Sequence, residues 1–290
     1  DLPFENAGIL KTTGFELQAK WSDKLANGFR YSVGVALSDD KAKVVSYPSN
    51  PTNKIGDGVL YKGYTVGDIW GYVTGGILQE GDFDGVGANG KPLYHGPYFK
   101  GGQAYPGYIW YQDLDHDGVI TTGLNTVDDP GDRKVIGNNA PRYRYNITAN
   151  FQYKGFDLDL MFQGVGKRDY WLSSTSSYWG NGAGSWEVYN NSWTPERTDA
   201  KFPMYGSGTG SYPQTGYLLD ASYIKLKQVI LGYTFPRTLI NKIGLEKLRL
   251  NLAAYNLFTI SDMPKYYDAD YLSDAYPPKR TFSVGIQVGF

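Results

Sequence analysis

Hydrophobic and polar residues alternate strictly over long stretches of this chain, which is the pattern of β-strands with one apolar face. At the C-terminus the apolar set is Phe282, Val284, Ile286, Val288 and Phe290, each separated from the next by one small or polar residue. The same alternation recurs upstream and predicts about seven strands, near 9–21, 28–46, 142–153, 156–168, 221–235, 246–260 and 280–290. The chain is therefore predicted to be all-β.

The apolar positions change phase once within a predicted strand. Between residues 221 and 235 the apolar set moves from Ile224 and Leu226 to Val229 and Leu231, so one residue near Gln228 is extra. An extra residue on one strand of an antiparallel pair makes a β-bulge, and we expect one here.

The connections between the predicted strands alternate between short and long. Their lengths in chain order are 6, 95, 2, 52, 10 and 19 residues, so the long loops 47–141, 169–220 and 261–279 all leave one end of the sheet. Bacterial outer-membrane barrels have short periplasmic turns and long extracellular loops, on strands of about ten residues. In a soluble sandwich the same apolar stripe would face an inner core, so a soluble secreted β-domain that binds carbohydrate remains the alternative.

Composition removes several other classes of function. The 28 basic and 29 acidic residues give a net charge of −1, which leaves no basic surface for nucleic acid. The chain has no cysteine and two histidines, which excludes disulfides, cysteine nucleophiles and a histidine-rich metal site. No apolar run approaches the roughly 18 residues of a membrane-spanning helix.

Several stretches, taken in order and with their spacing, resemble the SusC/RagA-type TonB-dependent transporters of Bacteroidetes outer membranes. They are NAGILKTTGFELQAKW (6–21), GYTVGDIWGYVTGGIL (63–78), GYIWYQDLDHDGVIT (107–121), the segment DRKVIGNNAPRYRYNITANFQYKGFDLDLMFQGVGKRDYW (132–171), SWTPERTDAKFP (192–203), YIKLKQVILGYTFP (223–236), LRLNLAAYNLFTI (248–260) and YPPKRTFSVGIQVGF (276–290). The resemblance implies the C-terminal part of a large antiparallel transmembrane β-barrel of about 22 strands.

The resemblance also implies a function and partners. Members of this family import oligosaccharides or peptides across the outer membrane together with a SusD-like surface lipoprotein, and they are not enzymes. Energy comes from the TonB complex through an N-terminal part that lies outside these 290 residues. Barrel assembly machinery reads a C-terminal strand that ends in an aromatic residue, so Phe290 is the predicted assembly signal; the alternative is an ordinary edge strand.

An acidic loop matches the first half of a calcium-binding loop, in which alternate carboxylates converge on one hard cation. The predicted metal ligands are Asp113, Asp115, Asp117 and the carbonyl of Val119. Gly118 allows the sharp turn, but Leu124 stands where the usual bidentate glutamate would be. The candidates to replace that glutamate are Asp128, Asp129 and Asp132. A structural calcium ion is one interpretation of this loop and a solvated acidic turn is the other.

The loop 169–220 is rich in aromatic residues set among Gly, Ser and Asn. The candidates for contact with substrate or with the lipoprotein lid are Trp171, Tyr178, Trp179, Trp186 and Trp193. Exposed aromatic rings stack on sugars or pack against peptide side chains. The alternative is a small core that folds the long loop on itself.

Charged and aromatic residues complete the predicted barrel wall. Residues expected to face the lumen as a mutually paired polar wall are Arg142, Arg144, Lys247, Arg249, Glu16, Asp157 and Asp159. An interfacial aromatic girdle is expected at the turn end from Trp21, Tyr153, Phe156 and Phe235. A β-fold glycosidase using two carboxylates, for example among Asp113, Asp115 and Glu187, is a further alternative, although no such pair is placed by the sequence.

Overall fold

A computed structural model describes residues 8–56, 58–172, 186–265, 267–272 and 278–290. In chain order its strands are β1 (Ile9–Lys24), β2 (Arg30–Ser46), β3 (Asp68–Tyr72), β4 (Thr74–Ile77), β5 (Tyr98–Phe99), β6 (Ile109–Tyr111), β7 (Val119–Ile120), β8 (Arg133–Asn138), β9 (Arg142–Tyr153), β10 (Phe156–Lys167), β11 (Asp169–Tyr170), β12 (Leu219–Asp220), β13 (Tyr223–Thr234), β14 (Lys247–Ser261) and β15 (Thr281–Gly289). Short α-helical turns span Trp186–Asn190 and Arg237–Ile240, and 3-10 turns span Glu80–Asp82, Thr215–Tyr217 and Asn241–Ile243.

Seven long strands form one antiparallel sheet in the order β1-β2-β9-β10-β13-β14-β15. Neighbours in this sheet follow one another along the chain, apart from the small strands inserted in the long connections. Each of the seven strands starts and ends within about three residues of its predicted position, and β9 coincides with its prediction. The prediction of an all-β fold is confirmed.

The predicted bulge in β13 is present. The pairing of β13 with β14 slips between Leu226 and Gln228, and the pairing of β10 with β13 slips between Met161 and Phe162. Leu226 pairs with Phe162, and Val229 pairs with Leu160, so the apolar side chains on both sides of the bulge stay on the same face. The extra residue is therefore the reason for the change of phase in the sequence.

The two-residue connection between β9 and β10 is a tight hairpin turn. Lys154 and Gly155 have φ angles of 47° and 87°. Positive φ at both central residues defines the type I′ turn, which matches the twist of the paired strands and needs glycine or another tolerant residue. The turn fixes the register, in which Phe156 pairs with Tyr153.

The chain divides into two compact units. One contains residues 12–41, 141–168 and 220–290, which include most of the seven-stranded sheet. The other contains residues 42–140 and 169–219 together with the first described residues. The second unit corresponds to the two longest predicted loops, 47–141 and 169–220, which the sequence alone treated as separate connections.

This second unit, here called the loop unit, has its own short strands and its own core. Three two-stranded sheets pair β3 with β8, β4 with β6 and β5 with β7. The core is formed by buried apolar side chains from both long connections, including Ile55, Leu78, Ile109, Tyr111, Ile120 and Phe202. The two connections therefore fold together rather than as independent loops.

Candidate functional site

One face of the seven-stranded sheet is continuously apolar across six strands. Residues directly opposite each other in paired strands lie on the same face. One such row consists of Tyr31, Phe151, Leu158, Leu231, Leu252 and Val284. Val284 is 76% exposed, and Leu231 and Leu252 are also exposed. An apolar surface of this extent left outside a protein core marks a surface that contacts another protein or a membrane.

The opposite face of the same strands carries most of their polar and charged residues. The row next to the apolar one contains Ser32, Asn150, Asp159, Ile230, Ala253 and Ser283. The Asn150 amide nitrogen donates to Asp159 Oδ1 at 2.5 Å, which links β9 to β10. The sheet thus separates an apolar side from a polar side, as the alternation in the sequence predicts.

A salt bridge on the polar face spans three strands. The Arg249 guanidinium on β14 donates to the Asp157 carboxylate on β10, with Nη2 at 2.5 Å from Oδ2. Between them lies Gly232 of β13, where a Cβ atom would collide with both charged groups. Glycine at this position therefore leaves the space in which the ion pair crosses the middle strand.

Two further ion pairs join β2 to β9, and sequence reasoning missed their acidic partners. Arg142 binds Asp39 through two parallel hydrogen bonds of 2.5 Å, and the Tyr143 backbone N–H donates to the same carboxylate at 3.1 Å. Arg144 pairs with Asp40. Tyr143 has a φ of 53°, and this irregularity occurs where the regular pairing of β2 and β9 ends. The alternation of apolar and polar residues in the sequence does not show this break in register, which is why the acidic partners were missed.

Aromatic residues gather at the turn end of the sheet. Phe156 lies 4.4 Å from Tyr233, and Tyr233 lies 4.9 Å from Phe235, between ring centroids. On the other side of the hairpin Phe29 contacts Phe151 and Tyr153. The rings lie where the predicted interfacial girdle was placed.

The acidic loop brings its three aspartates together. One carboxylate oxygen from each of Asp113, Asp115 and Asp117 lies within 4.8 Å of the others. Backbone N–H groups of His116 and Gly118 donate to the two oxygens of Asp113, at 2.7 and 2.8 Å. These bonds close the loop around its carboxylates, and the Val119 backbone N–H donates to Asp117 Oδ1 at 2.8 Å.

The protonation behaviour of the loop reflects this crowding. Slight desolvation raises the pKa of Asp113, but the hydrogen bonds from Gly118 and His116 lower that pKa by more, so it lies below its usual range. For Asp115, the hydrogen bond from the Asp117 backbone N–H lowers the pKa. Desolvation and the negative charges of Asp132 and Asp117 raise it by more, so the pKa of Asp115 lies above its usual range. A cation held by hard oxygen ligands would relieve the repulsion that raises the pKa of Asp115.

Asp132 supports the acidic loop from inside the loop unit. It is fully buried, and its two oxygens accept hydrogen bonds from the backbone N–H groups of Leu114, at 2.8 Å, and Thr121, at 2.7 Å. One carboxylate therefore holds both ends of the loop. The cluster of converging carboxylates consists of Asp113, Asp115 and Asp117, and none of the three candidates for the missing glutamate belongs to it in the described residues.

The aromatic candidates of the loop 169–220 lie in different environments. Trp193 is 3% exposed, and its indole Nε1 donates to Gln79 Oε1 at 2.9 Å, which places it in the core of the loop unit. Trp186 is exposed and stacks on Tyr189 with 5.7 Å between ring centroids. Trp171 is half-buried, whereas Tyr178 and Trp179 lie outside the described residues. The alternative of a small aromatic core thus applies to Trp193, and Trp186 remains available on the surface.

A second aromatic cluster in the loop unit was not singled out from the sequence. The rings of Tyr72, Phe99, Tyr111 and Tyr212 are in mutual contact, with Tyr72 and Tyr111 4.9 Å apart. Burial raises the pKa of Tyr111 well above its usual range, and its hydroxyl donates to the Thr209 carbonyl at 2.7 Å. The members come from both long connections, so only the fold shows that they form one cluster.

The last strand ends on an exposed aromatic residue. Phe290 is 87% exposed and follows β15, an edge strand of the sheet whose apolar residues are exposed on one face. In the described residues no helix has the length and apolar character needed to span a membrane.

The chain is similar in sequence and in fold to known TonB-dependent receptors. No protein-family model matches the chain. TonB-dependent receptor P3 of Formosa agariphila is 28% identical over 99% of this chain, and TonB-dependent receptor SusC of Bacteroides thetaiotaomicron is 27% identical over 75% of it. A solved structure of the RagAB peptide transporter superposes with a TM-score of 0.68 over 98% of this chain, at 17% identity.

The chain is similar over nearly its whole length to SusC/RagA-type TonB-dependent receptors. It spans 29% of the length of receptor P3, 23% of SusC and 29% of the RagAB chain. The seven-stranded sheet matches the barrel region of the RagAB structure in fold, as part of a large antiparallel transmembrane barrel, and its described strands form an open sheet. Receptors of this type reside in the outer membrane of Gram-negative bacteria, and this chain is assigned to the same membrane.

Proposed function

We propose that this chain forms part of the wall of an outer-membrane transporter that imports bulky oligomers, either oligosaccharides or peptides. The observation that supports this proposal is the exposed apolar face of the sheet, which lies opposite a polar face carrying ion pairs. A barrel wall needs lipid on one side and a polar passage on the other. A soluble carbohydrate-binding domain would instead bury its apolar face in a core.

The proposed partners follow from the family. A SusD-like lipoprotein closes the passage from outside, the TonB complex supplies energy through the remainder of the receptor, and barrel assembly machinery inserts the chain. The loop unit, on the long connections, is the part of this chain that would meet the lipoprotein and the substrate. Exposed Trp186, stacked on Tyr189, offers a surface for a sugar ring or a peptide side chain.

The test is to purify the intact receptor from outer membranes through peptides of this sequence. We expect a chain of about three times the mass of these 290 residues, because the chain spans 29% of receptor P3, together with a co-purifying lipoprotein. Mass spectrometry of the material released on denaturation would then show either a peptide mixture or a ladder of sugar units. A water-soluble protein without a lipoprotein would contradict the transporter and favour the soluble carbohydrate-binding domain.

We further propose that the acidic loop binds a structural calcium ion through Asp113, Asp115 and Asp117. Convergence of the three carboxylates supports the proposal, and hard oxygen ligands suit calcium. A ligand that binds only the folded state stabilises it by about 2.7 kcal/mol at one hundred times its Kd. Calcium should therefore raise the thermal midpoint of the receptor above the midpoint measured with chelator.

The matched variants separate this calcium site from general effects of charge. Replacing Asp115 and Asp117 by Asn should abolish the difference between calcium and chelator. Asp128→Asn removes one nearby exposed carboxylate outside the cluster and should leave the difference intact. Equal midpoints of the unmodified receptor with calcium and with chelator would show that the loop is a solvated acidic turn.

A further inference from the structure

A buried lysine lies on the polar face of β13. Lys225 is 1% exposed, and a lysine is almost never buried so completely unless its charge is paired. Its ammonium group donates to both oxygens of Asp268, at 2.7 and 2.8 Å, and lies 3.3 Å from Asp270 Oδ2. Two carboxylates from the last long loop therefore balance one strand lysine.

Neighbouring side chains of β13 bind the same two carboxylates. Lys227 Nζ donates to Asp270 Oδ2 at 2.7 Å, and the Tyr223 hydroxyl donates to Asp270 Oδ1 at 2.6 Å. The Asp270 backbone N–H donates to Asp268 Oδ1 at 2.9 Å, which fixes the two acidic residues relative to each other. Three alternate positions of one strand thus hold one short loop segment, residues 267–272, which we call the strap.

The strap lies against the polar face of the sheet. Lys225 pairs with Gln163 of β10 and with Thr259 of β14, while the adjacent Leu226 pairs with the apolar Phe162 and Phe258. Successive residues of a strand point to opposite faces, so the ion pairs with the strap form on the side away from the apolar residues. Ala269, between the two acidic residues, is 1% exposed.

We propose that the strap is a fixed part of the passage, held on the polar face at the loop end of β13, and that it stays in place while substrate enters. Lifting it would separate the ammonium groups of Lys225 and Lys227 from the carboxylates of Asp268 and Asp270, and removing one partner of a buried pair is strongly unfavourable. The position in a passage rests on the proposed function. The attachment of the strap to β13 does not depend on the proposed function.

The experiment uses single cysteines introduced into the intact receptor; these 290 residues contain no cysteine, and any cysteine in the remainder of the receptor is first replaced by serine. Ala269→Cys places the thiol at a buried position of the strap, and Lys265→Cys places it at an exposed position of the same loop. In the purified receptor, a polar maleimide should react with the second thiol at least about ten times faster than with the first, because protection measures local opening. Equal rates would overturn the strap.

A release variant tests whether the ion pairs cause the protection. Lys225→Met keeps the length of the side chain and removes its charge, so the thiol at position 269 should become reactive. Lys227→Met, at a partly exposed position, should give a smaller increase in the reactivity of the thiol at position 269. This second variant replaces the first in the test if Lys225→Met does not assemble. Continued full protection in both variants would show that the charges do not hold the strap.

Labelling under working conditions separates the strap from the transporter itself. On intact cells with substrate and an energised inner membrane, the thiol at 269 should stay protected, and a rise to the rate at 265 would contradict a fixed strap. Two results together would separate the two proposals: no reaction of the thiol at 265 from outside the cell, and a protected thiol at 269 in the purified receptor. In that case the loop does not face the outside, which contradicts the proposed function, whereas the attachment of the strap to β13 is confirmed.

Discussion

At the scale of single residues, glycines in the sheet make room for side chains that cross between strands. Tyr145 of β9 pairs with Gly164 of β10, and a Cβ atom at Gly164 would meet the Tyr145 ring and the backbone oxygen of Tyr223. The Tyr145 hydroxyl donates to that oxygen at 3.1 Å, so one aromatic side chain links three strands. The missing side chain at Gly164 is therefore a requirement of the packing.

We accordingly expect Gly164→Ala to destabilise the receptor. Overpacking against a backbone atom, which cannot swing away, costs about 1–3 kcal/mol. Tyr145→Phe keeps the ring and removes only the hydrogen bond, for a loss of about 1 kcal/mol. The free energy of unfolding in detergent would rank unmodified receptor, Tyr145→Phe and Gly164→Ala in that order, whereas an unchanged value for Gly164→Ala would show that the strands move apart without cost.

At the scale of elements, the sequence predicted the long strands well and the loop unit poorly. Alternation located all seven strands and the bulge near Gln228, because each strand shows one apolar face over nine or more residues. Short strands such as Ile109–Tyr111 show no alternation of their own and pair with segments far along the chain. The pairing of Lys225 with Asp268 was not predicted for the same reason, because the two residues are 43 positions apart in the sequence.

The strap also predicts a pH response. Burial raises the pKa of Asp270, but the hydrogen bonds from Lys227 and Tyr223 and the two ammonium charges lower it by more, to about 2, from an ordinary value of 3.8. A pKa depressed in the folded state stabilises that state above the unfolded pKa, and the stabilisation is lost as pH falls through the folded pKa. At one pKa unit per 1.36 kcal/mol, the contribution is roughly 2 kcal/mol.

The measurement compares the thermal midpoint of the receptor with that of Asp270→Asn over a pH series. We expect a constant deficit in the variant from neutral pH down to about pH 5, which shrinks between about pH 4 and pH 2. Asp262→Asn changes an exposed carboxylate of the same loop and should show no such deficit. A deficit that persists unchanged at pH 2 would mean that the carboxylate charge of Asp270 does not stabilise the strap.

At the scale of the whole molecule, we expect the apolar face and the last strand, β15, to govern assembly into a membrane. Phe290 follows an edge strand whose alternating residues Phe282, Val284, Ile286 and Val288 are all exposed. If assembly machinery reads this end, replacing Phe290 by Ser should reduce the amount of folded receptor in outer membranes several-fold, while Tyr271→Ser, at an exposed aromatic residue in the last loop, should not. Equal yields would leave Phe290 as an ordinary strand end.

The orientation of the sheet is open to a stricter test, because Leu250 and Asn251 are adjacent in β14 and point to opposite faces. Leu250 pairs with Tyr233 and Ile286 on the apolar face, and Asn251 pairs with Gly232 and Gly285 on the polar face. An arginine facing lipid costs about 2–4 kcal/mol at the midplane and less towards the interface, so Leu250→Arg, which lies towards the turn end of β14, should reduce the amount of assembled receptor.

Asn251→Arg adds the same charge at the next residue, where water and polar groups are available, and should assemble at close to the normal level. For both variants, the amount of folded barrel in purified outer membranes is measured from the change in electrophoretic migration that heating causes. If Leu250→Arg assembled and Asn251→Arg did not, the apolar face would line the interior and the lipid would lie on the side that carries the ion pairs. Such a result would mean that the whole sheet faces the membrane with the opposite side from the one proposed.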